Sequence, residues 1–139
     1  MSHLQKWIGT VVDGLEDMVD AKAKITILEN CGRTCISPAF VKKAKKLKEK
    51  SGSNEEFLKK LAKIWSHLKL DGKNIFVVYN QCYCPMMKSY EGKLSKSFCH
   101  CSRGWVKELF EKSLEKPVTV ILEKAIKQGD DICRFRVKL

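Results

Sequence analysis

The sequence predicts an α+β fold: N-terminal helices packed on a small antiparallel sheet, with an inserted helix and a C-terminal β-hairpin. Three observations predict it. Apolar residues recur at three- and four-residue spacing through the first half of the chain, which is the signature of amphipathic helices. From residue 74 the pattern changes to short β-rich runs, and near the end two such runs flank the turn Gln128-Gly129-Asp130-Asp131. Helical segments followed by strands favour α+β organisation over a parallel α/β sheet. The 139 residues fit a single domain, 1–139, large enough to bury a core.

Taken in order, Leu4, Trp7, Ile8, Val11, Val12, Leu15, Met18 and Val19 mark a first amphipathic helix. A second runs from about Ala21 through Thr34 and carries Ile25, Leu28, Cys31 and Cys35 toward one side. Ser37-Pro38 restarts the chain as a helix, with serine at the N-cap and proline at the first helical position. Phe40, Val41, Ala44 and Leu47 then face inward and the lysines face water. Ser51-Gly52 closes this helix, and Ser53 with Glu56 forms the capping box of the next. Its buried stripe is Phe57, Leu58, Leu61, Ile64, Trp65 and Leu68, and Asp71-Gly72 ends it.

Asn74 to Tyr79 is a strand that leads into Cys82-Tyr83-Cys84-Pro85, and Leu94 to Cys101 is expected to return as a second extended stretch. Ser102 is the expected cap of a helix over Trp105–Leu114, with Trp105, Leu109, Phe110 and Leu114 on its apolar face and Pro117 as its stop. Val118–Ile126 and Ile132–Val137 form the terminal hairpin.

The chain opens without a basic-then-apolar leader and contains no apolar run near the ~20 residues that span a bilayer. A soluble, cytoplasmic protein without a membrane partner is therefore expected. The formal charge of +11 is concentrated in Lys42–Lys50 and Lys59–Lys73. Lysine dominates and no aromatic-interleaved RNA motif is present, so solvated helix faces are favoured over a nucleic-acid site. A homodimer is compatible with the sequence.

Cysteine is the informative residue. Six of the seven fall into three close pairs, Cys31/Cys35, Cys82/Cys84 and Cys99/Cys101, and Cys133 stands alone. On a helix the i, i+4 pair shares a face. On strands, each Cys-x-Cys points both sulfurs to one side. Four thiolates from two such ribbons would suit tetrahedral zinc or an iron–sulfur cluster, and redox chemistry or plain core packing are the alternatives. Core packing is the favoured account of Cys133.

The final third contains an ordered set of motifs: Cys101, Gly104-Trp105, Lys116-Pro117-Val118, Glu123, then Gly129-Asp130-Asp131-Ile132-Cys133-Arg134-Phe135. This set resembles the C-terminal half of the 4-vinyl-reductase-type small-molecule-binding domain. That domain shares its fold with heme-based nitric-oxide sensors and subunits of Golgi transport particles. A similar pattern occurs in aminothiazoline-carboxylate hydrolase-like proteins. In phenol-sensing activators of this class, cysteines and a glutamate from this region hold zinc, so the resemblance implies Cys101, Glu123 and Cys133 as ligands. The family's further cysteine is replaced by Ile126 here.

Together these readings predict a sensor or small-molecule-binding protein. Its metal ligands would come from Cys31, Cys35, Cys82, Cys84, Cys99, Cys101, Glu123 and Cys133. An adjacent pocket for a small apolar ligand would be walled by Met86, Met87, Trp105 and Phe110. Ser102 as N-cap would place Cys101 near the positive end of a helix dipole and lower its thiol pKa. A cysteine-dependent enzyme, hydrolytic or redox, using Cys101 or Cys99, is the second reading. Lysine-mediated nucleic-acid binding is the third. None of the three histidines, His3, His67 and His100, sits in a Cys-His signature.

Overall fold

The computed structural model describes residues 1–92, 94–95 and 97–139. Four helices come first: α1 (His3–Met18), α2 (Ala21–Cys35), α3 (Pro38–Glu49) and α4 (Asn54–Ile64). The strands β1 (Leu68–Asp71) and β2 (Asn74–Tyr79) follow, then α5 (His100–Leu114). Strand β3 (Thr119–Lys124), a short 3-10 turn at Ile126–Gln128 and strand β4 (Cys133–Lys138) complete the chain. The four strands form one antiparallel sheet in the order β1-β2-β4-β3. The predicted α+β class, with N-terminal helices and a C-terminal hairpin, is the observed one.

The helix starts are set locally. Ser2 and Gln5 form a reciprocal capping box on α1, and the Asp20 carboxylate accepts from the Ala23 N–H to start α2. Ser37 precedes Pro38 but makes no side-chain cap bond. Ser53 accepts from the Glu56 N–H, while the Glu56 carboxylate reaches back one residue further than expected, to the Gly52 N–H at 2.6 Å.

One face of the sheet forms the main core. Leu68, Ile75, Val77, Val120, Phe135 and Val137 meet Val106, Leu109 and Phe110 of α5, with Ala44 of α3 and Phe57, Leu58 and Leu61 of α4 around them. Alternation along each strand sends the remaining residues to the other face. There Arg134 and Arg136 lie over the Phe76 ring and share the Glu123 carboxylate. A second, smaller core joins Val12 of α1 and Leu28 of α2 to Met87, Leu94, Phe98 and Cys99 of the segment between β2 and α5.

Five features differ from expectation. Helix α4 stops at Ile64, and Leu68–Asp71 is a strand: Asp71-Gly72 is a hairpin turn, with Asp71 paired to Asn74 and Gly72 at φ 59°. The Cys-x-Cys segments are not strands. After Tyr79 the chain leaves the sheet, and from Pro85 it turns, with the Met87 and Lys88 N–H groups donating to the Cys84 carbonyl. The expected extended stretch Leu94–Cys101 instead includes a turn at Ser97–Cys99 and the first residues of α5, while Lys96 lies outside the described residues. Helix α5 is capped by Cys99, so Ser102 already lies inside it. Finally, α1 buries Gln5, Gly9 and Val12 and turns Leu4, Trp7, Val11 and Met18 outward.

Candidate functional site

Helices α2 and α5 cross at unusually close range, and this crossing positions the site. A Cβ added to Gly32 would stand 1.6 Å from the Cys101 carbonyl oxygen, and one added to Gly104 would stand 2.0 Å from the Glu29 carbonyl oxygen. Glycine is required at both points because no larger residue leaves room for the facing backbone. Ion pairs flank the contact. Arg103 Nε donates to Glu29 at 2.6 Å and Lys107 reaches the same carboxylate at 3.1 Å, while Arg33 pairs with Glu111 at 2.6 Å and Glu108 at 3.2 Å.

Cys35, three residues beyond Gly32, therefore faces the first turn of α5, where Cys99 and Cys101 lie. The end of the sheet closes the space below. Tyr79 and Cys133 are cross-strand partners on the inner face, and His67 packs on Tyr79 with centroids 4.5 Å apart and the rings tilted by 46°. His67 Nδ1 lies 3.1 Å from the Val78 carbonyl. A carbonyl can only accept, so Nδ1 carries the proton in the neutral ring and Nε2 is left as an acceptor. Trp65 and Trp105 pack with centroids 5.6 Å apart. The segment Gln81–Met86 forms the outer wall. Gln5 of α1 anchors the chain just beyond it, donating to the Met86 carbonyl at 2.8 Å and to Ser89 Oγ at 2.9 Å.

These elements enclose a cleft of about 520 Å³ with a mainly apolar lining. Cys35, Cys82, Cys84, Cys99, Cys101 and Cys133 all contribute to it, beside Trp65, Trp105, His67, Tyr79 and Tyr83. Six of the seven cysteines thus meet on one cavity, drawn from a helix C-terminus, a loop, a helix N-terminus and a strand. All are free thiols.

The thiols influence one another in two overlapping groups. Burial, then the proximity of Cys133, Cys82 and Cys84, pushes the Cys99 thiol up to about 12. Burial, then Cys35, Cys84 and Cys31, pushes Cys101 up to about 12. Burial also raises Cys133, against the opposing effect of the Ile126 N–H, which donates to its sulfur at 3.3 Å. The lowered Cys101 pKa expected from the helix dipole is therefore reversed: desolvation outweighs the dipole at this partly buried position.

Several predicted site residues lie elsewhere. Cys31 is exposed on α2 and does not line the cleft. Glu123 sits at the β3 bulge, and its carboxylate binds Arg134 at 2.9 Å and Arg136 at 3.2 Å on the outer sheet face, away from Cys133. Phe110 is fully buried in the main core and Met87 in the smaller one. Trp105 and Met86 do line the cleft. As for metal binding, the donors are soft in kind, but among the described residues no three of His, Cys, Asp and Glu are placed to hold one ion. Cys99 and Cys101 stand two residues apart at one helix start, roughly 200° around the axis, so the two side chains do not share a helix face.

Sequence reasoning did not find His67, Tyr79, Tyr83 or Trp65 as lining residues. Alternation along β2 could have marked Tyr79, since it shares a face with Ile75 and Val77. His67 lay hidden in a segment read as helix.

The chain belongs to a protein family of unknown function, DUF6144, which it matches over residues 2–139. No curated protein matches it. Among the described residues, no helix is long and apolar enough to cross a membrane.

Proposed function

We propose that the protein binds a small apolar molecule in the thiol-lined cleft, as a sensor or carrier. The observation that carries this reading is the cleft itself. Ligand sites are concave, largely apolar and fitted with a few fixed polar groups, and here Trp65, Trp105, Tyr79 and Tyr83 line the cleft together with His67. The resemblance to 4-vinyl-reductase-type domains agrees with such a role. In this reading zinc or an iron–sulfur cluster has a supply of thiols at the cleft without a preformed set of three, so the proposal rests on the cavity and not on a metal. A cysteine nucleophile is less well supported, because Cys99 and Cys101 are held as neutral thiols and nucleophilic attack needs the thiolate.

Titration with naphthalene, followed by quenching of the fluorescence of Trp65 and Trp105, tests the reading. Saturable one-to-one uptake is expected, weakened by about tenfold or more in Trp105→Ala, which corresponds to about 1.4 kcal/mol of lost binding energy. Uptake that does not saturate, or that Trp105→Ala leaves unchanged, would overturn it. Elemental analysis of anaerobically purified protein tests the metal separately.

A further inference from the structure

Helix α1 carries a second apolar pattern that the fold does not use. Leu4, Trp7, Val11 and Met18 follow one another at steps of three, four and seven residues. At about 100° per residue they fall within roughly 60° of arc, on the far side of the helix from Gln5, Gly9 and Val12, which pack inward. All four are exposed, Trp7 at 60% and Met18 at 85% of the full side-chain-bearing residue. Their spacing is that of an a/d seam, the stripe through which two helices pack. None of the four lines the cleft.

The charges on α1 indicate what covers the stripe. Its first turn has no acidic residue and its last turn no basic one, while Glu16 and Asp17 lie near its C-terminal end; the helix's own dipole favours the reverse. Lys6 near the start, and Asp13 and Asp17 toward the end, share one flank of the stripe at about 100° per residue. Among the described residues, Glu16 is the only α1 side chain held in an ion pair, with Lys24 at 2.9 Å. A second α1 laid antiparallel on the first answers these features together. A two-fold axis near Val11 sets Leu4 of one copy against Met18 of the other, and Lys6 against Asp17. It also brings the acidic end of each helix to the positive end of the other's dipole. A membrane surface fits less well, because interfacial helices carry lysine and arginine on their polar face and α1 has one lysine against three carboxylates.

From the stripe and its charge pattern we infer that this face docks on a second copy of the chain, with α1 packed antiparallel on α1 in a two-fold dimer. Pairing of one patch with itself is the commonest way in which soluble chains associate. Trp7 is the anchor of the contact, since buried tryptophan dominates such interfaces. The inference is independent of the apolar-ligand reading, because no residue of the stripe belongs to the cleft.

Sedimentation equilibrium on the full chain, over a concentration series reaching about 1 mM, tests it. A species of twice the 15.9 kDa chain mass is expected. Trp7→Glu should raise the dissociation constant by about 100-fold or more, since the anchor is lost from both copies. Trp7 is exposed, so that variant keeps its fold, which circular dichroism checks. Lys6→Glu alone should weaken the dimer about tenfold, and Lys6→Glu combined with Asp17→Lys should restore it, because both symmetry-related contacts re-form with their charges exchanged. A parallel pair would gain nothing from that exchange. A chain that stays monomeric, a dimer that Trp7→Glu leaves intact, or a charge exchange that restores nothing overturns the inference. So does a monomer taken up by phosphatidylcholine vesicles and released by Trp7→Glu, which would assign the stripe to a lipid surface.

Discussion

Replacing Gly32 by alanine should be among the most damaging single-methyl additions to this protein. The new Cβ would lie 1.6 Å from the Cys101 carbonyl oxygen and 2.6 Å from its carbon, with the Trp105 nitrogen at 3.1 Å. All three are backbone atoms and none can rotate away. Restoring ordinary contact, which begins at 3.4 Å, requires α2 and α5 to part locally by roughly 1.8 Å, and a gap of even 1 Å forfeits up to half of each dispersion contact along the interface. Overpacking of this kind costs about 3 kcal/mol, and the better helix propensity of alanine returns about 1 kcal/mol. A net loss of about 2 kcal/mol is expected. Gly14 of α1 is the internal control: an added Cβ there meets nothing within 4 Å, so Gly14→Ala should stabilise by about 0.5–1 kcal/mol. Urea unfolding followed by far-ultraviolet circular dichroism compares the two variants directly. Equal stability of Gly32→Ala and Gly14→Ala would refute the account of the crossing.

Three further outcomes are expected. Glu29→Gln should cost about 2 kcal/mol in the same unfolding assay, since hydrogen bonds to Arg103 and Lys107 lose their charge assistance; an unchanged midpoint would show the network to be dispensable. Glu16 is held at about 2 by the Ser97 and Lys24 bonds and then by Ser95. Its carboxyl is depressed on folding, so its contribution is complete above the ordinary value of 4.5 and is lost as pH falls from there through about 2. The acid limb of the stability profile should therefore be shallower in Glu16→Gln. In native protein at neutral pH a disulfide reagent should modify exposed Cys31 and Cys35 first, and Cys99 last because it is buried and protonated; peptide mapping of time points reads the order.

The helices were legible because their signals are local: a cap, a stripe of apolar residues, a stop. The terminal hairpin was legible for the same reason. Strand β1 was missed because Trp65 and Leu68 are three apart, which satisfies a helical stripe, and Asp71-Gly72 ends a helix as readily as it turns a hairpin. The pairing of the cysteines marked them as candidates, but it did not give the geometry in which six of them line the cleft. Period-two spacing in Cys82/Cys84 and Cys99/Cys101 suggested ribbons, yet the first pair lies in a loop and the second at a helix start, where the same spacing sends side chains apart. How Cys35 and Cys101 come to line one cleft is set by the α2–α5 crossing, and that depends on Gly32 and Gly104, whose value shows only once the facing carbonyls are known. Glu123 illustrates the converse case: a residue placed by resemblance is captured here by Arg134 and Arg136.

The strand order β1-β2-β4-β3 also governs when the fold can form. Strand β4 lies between β2 and β3, so β3 has no partner, and β2 only β1, until residues 133–138 have been synthesised. During translation the helices can form as they emerge, but β1 and β2 stay an isolated two-stranded ribbon, which is marginally stable in water. The inner-face residues Ile75 and Val77 of that ribbon wait for their β4 partners, Val137 and Phe135, until those residues have been made. Tyr79 and Cys133 come together only at that last step, so the floor of the cleft, and any ligand or metal that depends on it, can be acquired only after synthesis has passed β4.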